Sequence, residues 1–277
     1  QMDIGTAKIK KEQMQGVTHY MIDEWNPDEE FNVMIFQKLV KEIMEDIYNR
    51  GMIPILVGGT GFYIQAVLND IAFTKEKQGD EIRADLQNLA KEKGASYLHH
   101  ELQKVDKESA EAIHPNNIKR VIRALEYFQS TGQKFSDHNK EERQKGSPYN
   151  FLYLVLTMNR KVLYERIDKR VDQMMEEGLV KEVKQLLDAG YSRNLVSMQG
   201  LGYKEIASAL FKECTMEEAV YRLKRDTRHF AKRQMTWFRR ERDVTMINKD
   251  IFSNNHEIVN YIMKLAVEKG ICSCREG

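Results

Sequence analysis

Apolar residues along the first 70 positions follow two patterns that alternate, a helical spacing and a short unbroken run. Residues 31–50 have the helical spacing, and its apolar positions are Phe36, Val40, Ile43 and Ile47. Gly51 follows as the residue that ends this helix. Residues 52–57 are continuously apolar, which predicts a strand buried on both faces of a parallel sheet. With a short candidate strand at 19–23, the alternation predicts an α/β core.

The pattern changes between residues 72 and 147, which are polar, charged and helical and contain no strand candidate. We interpret this stretch as a small helical domain inserted into a core of residues 1–71 and 148–277, with an exposed loop at 75–79. Residues 151–157 (FLYLVLT) return to the core as a buried strand. The remaining pattern predicts helices and one short strand, at 160–177, 179–189, 203–212, 216–241 and 254–268 for the helices and 244–247 for the strand.

Composition and charge exclude several classes of protein. With 42% hydrophobic and 31% charged residues among 277, the chain is not a disordered one. No apolar run approaches the roughly 20 residues that cross a bilayer, so we expect no membrane partner. The net charge of +1 argues against a uniformly basic nucleic-acid coat but allows local patches. The three cysteines show neither disulfide nor zinc-site spacing and no signal peptide is visible, which favours the cytoplasm.

A glycine-rich turn, Gly58-Gly59-Thr60-Gly61, follows the apolar run and precedes a helix that begins near Phe62. Glycines let a ligand approach the backbone closely, and the N-terminus of a helix favours anions. The turn would lie at the carboxyl edge of a parallel sheet, where α/β proteins bind ligands, and Thr60 would present a hydroxyl there. The alternative is a tight turn without a ligand. No Gly-Lys-Ser/Thr follows, so this is not a Walker A loop.

Two groups of basic residues are candidates for binding phosphate. Arg166 and Arg170 are one helical turn apart and could hold a diphosphate, or could instead pair with Glu165 and Asp168. Residues 222–242 carry a net charge of +7 with interleaved aromatic residues, which is typical of contact with a nucleic-acid backbone or of a solvated helix face. The nine basic residues of that stretch are Arg222, Lys224, Arg225, Arg228, Lys232, Arg233, Arg239, Arg240 and Arg242.

Six strings occur in one known family in the same order. They are Met2-Asp3-Ile4-Gly5-Thr6-Ala7-Lys8, VGGTGFY at 57–63, HPNNIKRVIRALE at 114–126, RIDKRVDQM at 166–174, MQGLGYKE at 198–205 and AKRQMTWF at 231–238. On these strings the sequence resembles the tRNA dimethylallyltransferases, also called tRNA isopentenyltransferases, over essentially its whole length. Bacterial members are the nearest in length.

The resemblance implies a P-loop NTPase-like α/β core with a helical insertion that grips the anticodon stem-loop of tRNA. It implies transfer of a dimethylallyl group from dimethylallyl diphosphate to N6 of the adenosine directly 3′ of the anticodon, adenosine 37. Mg²⁺ would help the diphosphate to leave. The target base would be flipped out of the loop, as chemistry on a base generally requires. A monomer is expected.

Site residues follow from the resemblance position by position. Thr60 matches the family threonine beside the target adenosine, which makes it the catalytic candidate. The diphosphate would be held by Gly58, Gly59, Arg166 and Arg170. The tRNA would be contacted in the insertion by Arg83, Lys119, Arg120 and Arg123. Another tRNA-facing loop of the family matches the residues Gln199, Gly200, Gly202, Tyr203 and Lys204. The basic charge of 222–242, rather than the resemblance, adds Arg228, Lys232 and Arg233 as candidates for tRNA contact.

Two family motifs are not among the 277 residues. One is the P-loop, Gly-Pro-Thr-Ala-x-Gly-Lys-Thr, which cradles the diphosphate and helps to bind Mg²⁺, and the other is Asp-Ser-x-x-x-Tyr, whose aspartate is the proposed general base. The family has both ahead of the string that begins here at Met2, so we expect them upstream of Gln1 and expect no prenyl transfer by these residues alone. Two alternatives stay open, an adenylate isopentenyltransferase and a non-catalytic RNA-binding fragment.

Overall fold

The computed structural model describes residues 1–73 and 79–273, and the predicted loop at 75–79 falls outside them apart from Gly79. The strands are β1 (Tyr153–Thr157) and β2 (Val244–Asn248). The helices are α1 (Val33–Asn49), α2 (Gly61–Leu68), α3 (Gly79–Lys93), α4 (Ala95–Val105), α5 (Lys107–Ala112), α6 (Ile118–Thr131), α7 (Phe135–Gln144), α8 (Arg160–Glu177), α9 (Leu179–Asp188), α10 (Tyr203–Leu210), α11 (Met216–Phe238) and α12 (Asn255–Glu268).

The chain divides into two compact units. The larger comprises Gln1–Ile64 with Asn150–Gly277, and the smaller comprises Gln65–Tyr149. The smaller unit begins seven residues ahead of the predicted insertion at 72–147, because the second half of α2 belongs to it. Its described residues form helices and no strand. No helix among residues 1–73 and 79–273 has the length and apolar character needed to cross a membrane.

The described part of the larger unit contains a parallel pair of strands. β1 and β2 pair in register from Tyr153 opposite Val244 to Thr157 opposite Asn248, which confirms both predicted strands. Tyr153 and Val155 are buried, whereas Leu156 is 52% exposed, so β1 buries one face rather than two.

Two predicted strands are wrong. Residues 52–57 form no strand and all but Pro54 are exposed, with Ile55 and Val57 more than four-fifths accessible. A strand exists only through hydrogen bonds with a neighbour, and among the described residues only β1 and β2 are paired. Residues 19–23 are also not a strand, since Met21 and Asp23 have φ angles of 63° and 58° that interrupt an extended backbone.

The core of the larger unit lies among its carboxyl-terminal helices. α9 contributes Leu179, Val183 and Leu186, spaced so that they share one face of the helix. Against them pack Met198, which precedes α10, and Ile206 on α10, both fully buried. This core fixes α9, α10 and α11 as one block, which carries most of the candidate site residues of the larger unit.

The smaller unit contains a buried carboxylate just before α5. Asp106, which caps α5, is 1% exposed and accepts four hydrogen bonds, from the backbone N–H and the hydroxyl of both Ser109 and Ser136, at 2.6–3.0 Å. Burial by itself would raise the pKa of this carboxyl, but the hydrogen bonds together outweigh burial and hold the pKa below its ordinary value of 3.8.

Replacing Asp106 by asparagine should therefore lower the free energy of unfolding at neutral pH by about 2 kcal/mol. Each carboxylate oxygen accepts one backbone N–H, so an amide nitrogen in either place leaves a buried N–H without an acceptor. The native carboxylate stabilises the fold above pH 3.8, and this contribution is lost as the pH falls through the lowered folded-state pKa. Urea unfolding of both proteins at pH 7 and below 3.8 should show the difference shrinking in acid, and a constant difference would contradict this.

Candidate functional site

The glycine-rich turn leads directly into α2, as predicted. α2 begins at Gly61, and the Thr60 carbonyl accepts hydrogen bonds from the N–H groups of Tyr63 at 3.0 Å and Ile64 at 3.3 Å. The side chain of Thr60 is exposed, and no described residue forms a hydrogen bond with its hydroxyl. Thr60 therefore caps the helix with its backbone and keeps its hydroxyl available for a ligand.

Helix α11 packs closely against this turn. The Gln234 side-chain amide donates a hydrogen bond to the Gly59 carbonyl at 2.9 Å. A Cβ atom on Gly59 would lie 2.2 Å from Gln234 Nε2, and one on Gly61 would lie 2.1 Å from Trp237 Nε1. The rigid indole of Trp237 thus requires a glycine at position 61, whereas the flexible end of Gln234 could move away from a side chain at position 59. Gln234 and Trp237 stand in one of the six family strings, but sequence reasoning gave them no role.

The arginine pair on α8 lies at the surface. Arg166 and Arg170 are exposed, and neither forms an ion pair with a described carboxylate. The alternative of pairing with Asp168 does not occur, because Asp168 instead contacts Arg228 on α11. The two guanidinium groups one turn apart can therefore accept an anionic ligand.

Part of the basic charge of α11 is neutralised inside the protein. Arg228 pairs with Asp168, and one turn earlier Lys224 pairs with Asp172 at 2.6 Å, so α11 is tied to α8 by two ion pairs. Arg228 was predicted to contact tRNA, and the structure places it in this helix contact, only 24% exposed. Lys232 and Arg233 are exposed and have no described carboxylate partner, which keeps them as candidates for RNA contact.

The loop before α10 presents some of its predicted residues and buries others. Gly202, with a φ of 93°, is the N-cap of α10 and donates its N–H to Glu205 at 2.9 Å. Tyr203 is 2% exposed and donates its hydroxyl hydrogen to Glu182 at 2.7 Å, and burial together with this carboxylate raises its pKa. The side chain of Tyr203 thus supports the loop from the core and cannot touch RNA without leaving it.

Gln199 and Lys204, from the same loop, line a cavity of about 420 Å³. Its other charged walls are Arg193, Glu205, Arg222, Arg225 and Asp226. Gln199 is held by a hydrogen bond from its side-chain amide to the Arg193 carbonyl at 2.7 Å. Gly200 follows Gln199 in this loop and has no side chain to contribute to the cavity. The predicted tRNA-facing loop is therefore a polar, charged concavity on the larger unit.

The candidates of the smaller unit gather on α3 and α6. Lys119 and Arg120, on the first turn of α6, are exposed and have no described carboxylate partner. Arg83 on α3 and Arg123 on α6 meet at the same buried carboxylate, Glu126. Sequence reasoning did not single out Glu126, although it lies within the family string at 114–126.

No metal ligand set is found within residues 1–73 and 79–273, where no group of three or more His, Cys, Asp or Glu side chains could hold an ion. The Mg²⁺ that the resemblance implies needs no such group, because Mg²⁺ keeps several waters and is usually held by one or two carboxylates together with substrate phosphates. Cys214 and Cys272 are free thiols, and Cys274 lies outside the described residues.

Comparison with known proteins gives consistent matches. Residues 1–241 match the sequence profile of the family described as IPP transferase. A tRNA dimethylallyltransferase of Lachnoclostridium phytofermentans is 56% identical over 270 residues, which are 98% of this chain and 86% of that protein. One of Acetivibrio thermocellus is 47% identical over the same shares of the two chains.

Solved structures of proteins with related names are similar to this one. The full-length tRNA isopentenylpyrophosphate transferase of Bacillus halodurans superposes with a TM-score of 0.70 at 44% identity, covering 97% of this chain and 85% of that one. A eukaryotic dimethylallyltransferase acting on tRNA superposes with a TM-score of 0.79 at 26% identity, covering 95% and 70%.

Proposed function

Because this chain belongs to the IPP transferase family, we propose that it transfers a dimethylallyl group from dimethylallyl diphosphate to N6 of adenosine 37 in tRNA. The family match over residues 1–241 and the relatives named tRNA dimethylallyltransferase support this prenyltransferase activity. The fold is the P-loop NTPase-like α/β fold of those relatives, with a small parallel sheet and many helices. We propose a monomer acting in the cytoplasm.

The observation that carries the proposal is the turn that Gln234 and Trp237 hold at the start of α2. It keeps the Thr60 hydroxyl exposed on a rigid support, where it can hydrogen-bond the acceptor adenosine. Fixed positioning of this kind lowers the barrier because the reactants need no further ordering.

In the proposed reaction the N6 lone pair forms a bond to C1 of the dimethylallyl group. The C1–O bond breaks, its electron pair leaves with the diphosphate, and N6 passes a proton to the aspartate that the family resemblance proposes as general base. Arg166 and Arg170 stabilise the negative charge that develops on the leaving diphosphate, and the backbone of Gly58 and Gly59 lies against it.

The experiment is a prenylation assay on an anticodon stem-loop that contains adenosine 37, with AMP as a competing acceptor. We expect prenylated stem-loop and no competition from AMP. Prenylated AMP would instead favour an adenylate isopentenyltransferase. The assay uses these residues joined to the P-loop segment of a family member, because the Gly-Lys-Thr motif is not among the 277. From the 277 residues by themselves we expect binding of the stem-loop without product.

Replacing Lys119 and Arg120 together by alanine should weaken stem-loop binding. The slope of the logarithm of the binding constant against the logarithm of the salt concentration should become shallower by about two, one for each lost phosphate contact. Both side chains are exposed on the first turn of α6 and have no described carboxylate partner. The matched control replaces Lys107 and Lys140 by alanine, which removes the same charge from the same unit at residues paired with Glu111 and Glu108. Equal slopes for both double variants would remove Lys119 and Arg120 from the tRNA contacts.

A further inference from the structure

The side-chain amide of Gln234 has one unused hydrogen-bonding end beside the glycine-rich turn. Its Nε2 donates to the Gly59 carbonyl at 2.9 Å, and among residues 1–73 and 79–273 no group donates a hydrogen bond to its Oε1. Gln234 is half-buried on α11. Thr60 follows Gly59 in the turn, and its exposed hydroxyl is likewise without a described partner. A hydrogen-bond acceptor and a hydroxyl are therefore available to a ligand at this turn.

The Gly59 carbonyl determines which way round this amide lies. A backbone carbonyl only accepts hydrogen bonds, so it selects the NH₂ end of the amide, and a half-turn of the amide would set two acceptors against each other. The amide occupies the space of a side chain at position 59, because a Cβ atom there would lie 2.2 Å from Nε2 and 4.0 Å from Oε1. The oxygen is therefore the end that points away from residue 59, and it stays an acceptor.

A fixed acceptor beside a hydroxyl is complementary to adenine. The exocyclic amine of adenine donates hydrogen bonds from N6, and the ring nitrogens on either side of C6 accept them. Hypoxanthine, the base of inosine, has a carbonyl oxygen at C6 and an N–H at N1, so donor and acceptor are exchanged along that edge. An acceptor that cannot turn round would face a second acceptor there, and a site built for the amine rejects a base that lacks it.

On the premise of the proposed function, we propose that Gln234 selects adenine as the target base by accepting a hydrogen bond from N6 through its Oε1. The Thr60 hydroxyl donates to a ring nitrogen of the same base. N6 carries two hydrogens, and the one that is not passed to the general base forms the bond to Gln234. Gly59 is the positioning residue, because its carbonyl holds the amide and its missing side chain leaves room for it.

The test is the affinity of the chain for anticodon stem-loops that differ only in the base at position 37, measured by fluorescence anisotropy at constant salt. The three bases are adenine, purine, which lacks the amine, and hypoxanthine. Wild type should bind the adenine stem-loop about tenfold more tightly than the purine one, because purine leaves the acceptor unpaired. The hypoxanthine stem-loop should bind no more tightly than the purine one. Equal affinities for the adenine and hypoxanthine stem-loops would overturn the proposal without any variant.

Two substitutions that remove the contact in different ways should abolish this selectivity. Gln234→Met keeps the length of the side chain but has no amide, and Gly59→Ala puts a methyl group where the amide lies and displaces its flexible end. In both variants the ratio of the adenine affinity to the purine affinity should fall from about ten to about one. A ratio retained by Gln234→Met would overturn the acceptor role, and one retained by Gly59→Ala alone would overturn the positioning by Gly59.

The matched control is Thr236→Ala. Thr236 is exposed two residues further along α11, and its hydroxyl donates within the helix to the Lys232 carbonyl at 3.0 Å. This variant should keep the wild-type ratio. Because the measured quantity is a ratio within each variant, a uniform loss of affinity for all three stem-loops leaves it unchanged. A ratio lost in Thr236→Ala as well would mean that any disturbance of α11 suffices, and the specific role of Gln234 would be overturned.

The outcomes also separate this inference from the proposed function. If wild type binds none of the stem-loops, the proposed tRNA substrate fails and the selection of a base within it fails as well. If the chain joined to a family P-loop segment prenylates adenosine 37, while wild type binds the adenine and hypoxanthine stem-loops equally, the proposed function stands and only the role of Gln234 is lost.

Discussion

Replacing Gly61 by alanine should lower the free energy of unfolding by about 3 kcal/mol and displace the glycine-rich turn from α11. The added Cβ would lie 2.1–2.8 Å from three atoms of the Trp237 indole ring, which is rigid and cannot yield as the end of a flexible side chain would. Alanine favours a helix over glycine by up to about 1 kcal/mol, which offsets only part of this overlap. Because the turn carries Thr60, prenyl transfer should fall as well.

Urea unfolding measures this effect, and Gly58→Ala is the control. A Cβ on Gly58 would meet no atom within 4 Å, so this substitution in the same turn should change stability by no more than about 0.5 kcal/mol. The double variant Gly61→Ala with Trp237→Leu should recover part of the loss, because a smaller side chain makes room for the added methyl group. Equal unfolding midpoints for Gly58→Ala and Gly61→Ala would show that the contact with Trp237 does not constrain the turn.

Replacing Glu182 by alanine should lower the free energy of unfolding by about 3 kcal/mol. This carboxylate is 8% exposed and accepts four hydrogen bonds, from the backbone N–H groups of Asp3, Ile4 and Gly5 at 2.7–3.1 Å and from the Tyr203 hydroxyl at 2.7 Å. Alanine leaves these donors without an acceptor and removes the anchor that holds residues 3–5 on α9.

Hydrogen exchange of the three amides, together with urea unfolding, measures this loss. We expect their protection to disappear in Glu182→Ala while the amides inside α9 stay protected. Tyr203→Phe is the control, since it removes one hydrogen bond and leaves the other three, at a cost of about 1 kcal/mol. If residues 3–5 keep their protection in the alanine variant, another contact holds them.

The sequence predicted the helices of this fold better than its strands. Helical spacing identified α1 and its end at Gly51, and α8, α9, α10 and α12 lie within a few residues of their predicted ranges. A helix satisfies its own backbone, so its pattern is local. The apolar run at 52–57 does not indicate which strand it would pair with, because a single run of residues carries no information about its neighbour in a sheet. The ranges 151–157 and 244–247 formed strands because they pair with each other.

In the candidate site, too, the features that depend on local sequence were predicted and those that depend on distant contacts were not. The exposed Thr60, the surface arginines of α8 and the basic start of α6 were identifiable from residue type and spacing. Three features were not, because each depends on a contact between distant parts of the chain. Gln234 contacts Gly59, which is 175 residues away in the sequence, and Glu182 contacts Gly5, which is 177 residues away. Arg228 pairs with Asp168, which is 60 residues away. No local pattern distinguishes such an arginine from one that faces RNA.

Helix α11 runs unbroken for 23 residues, so the contacts along it share one register. Asp226 lines the cavity, and eight residues later Gln234 binds the glycine-rich turn, about 12 Å further along the helix axis. One inserted or deleted residue between them would rotate Gln234 and Trp237 by about 100° away from Gly59 and Gly61. Exchange of a single side chain between residues 227 and 233 therefore costs at most an individual contact, such as that of Arg228 with Asp168, whereas a change in their number would separate the cavity from the turn.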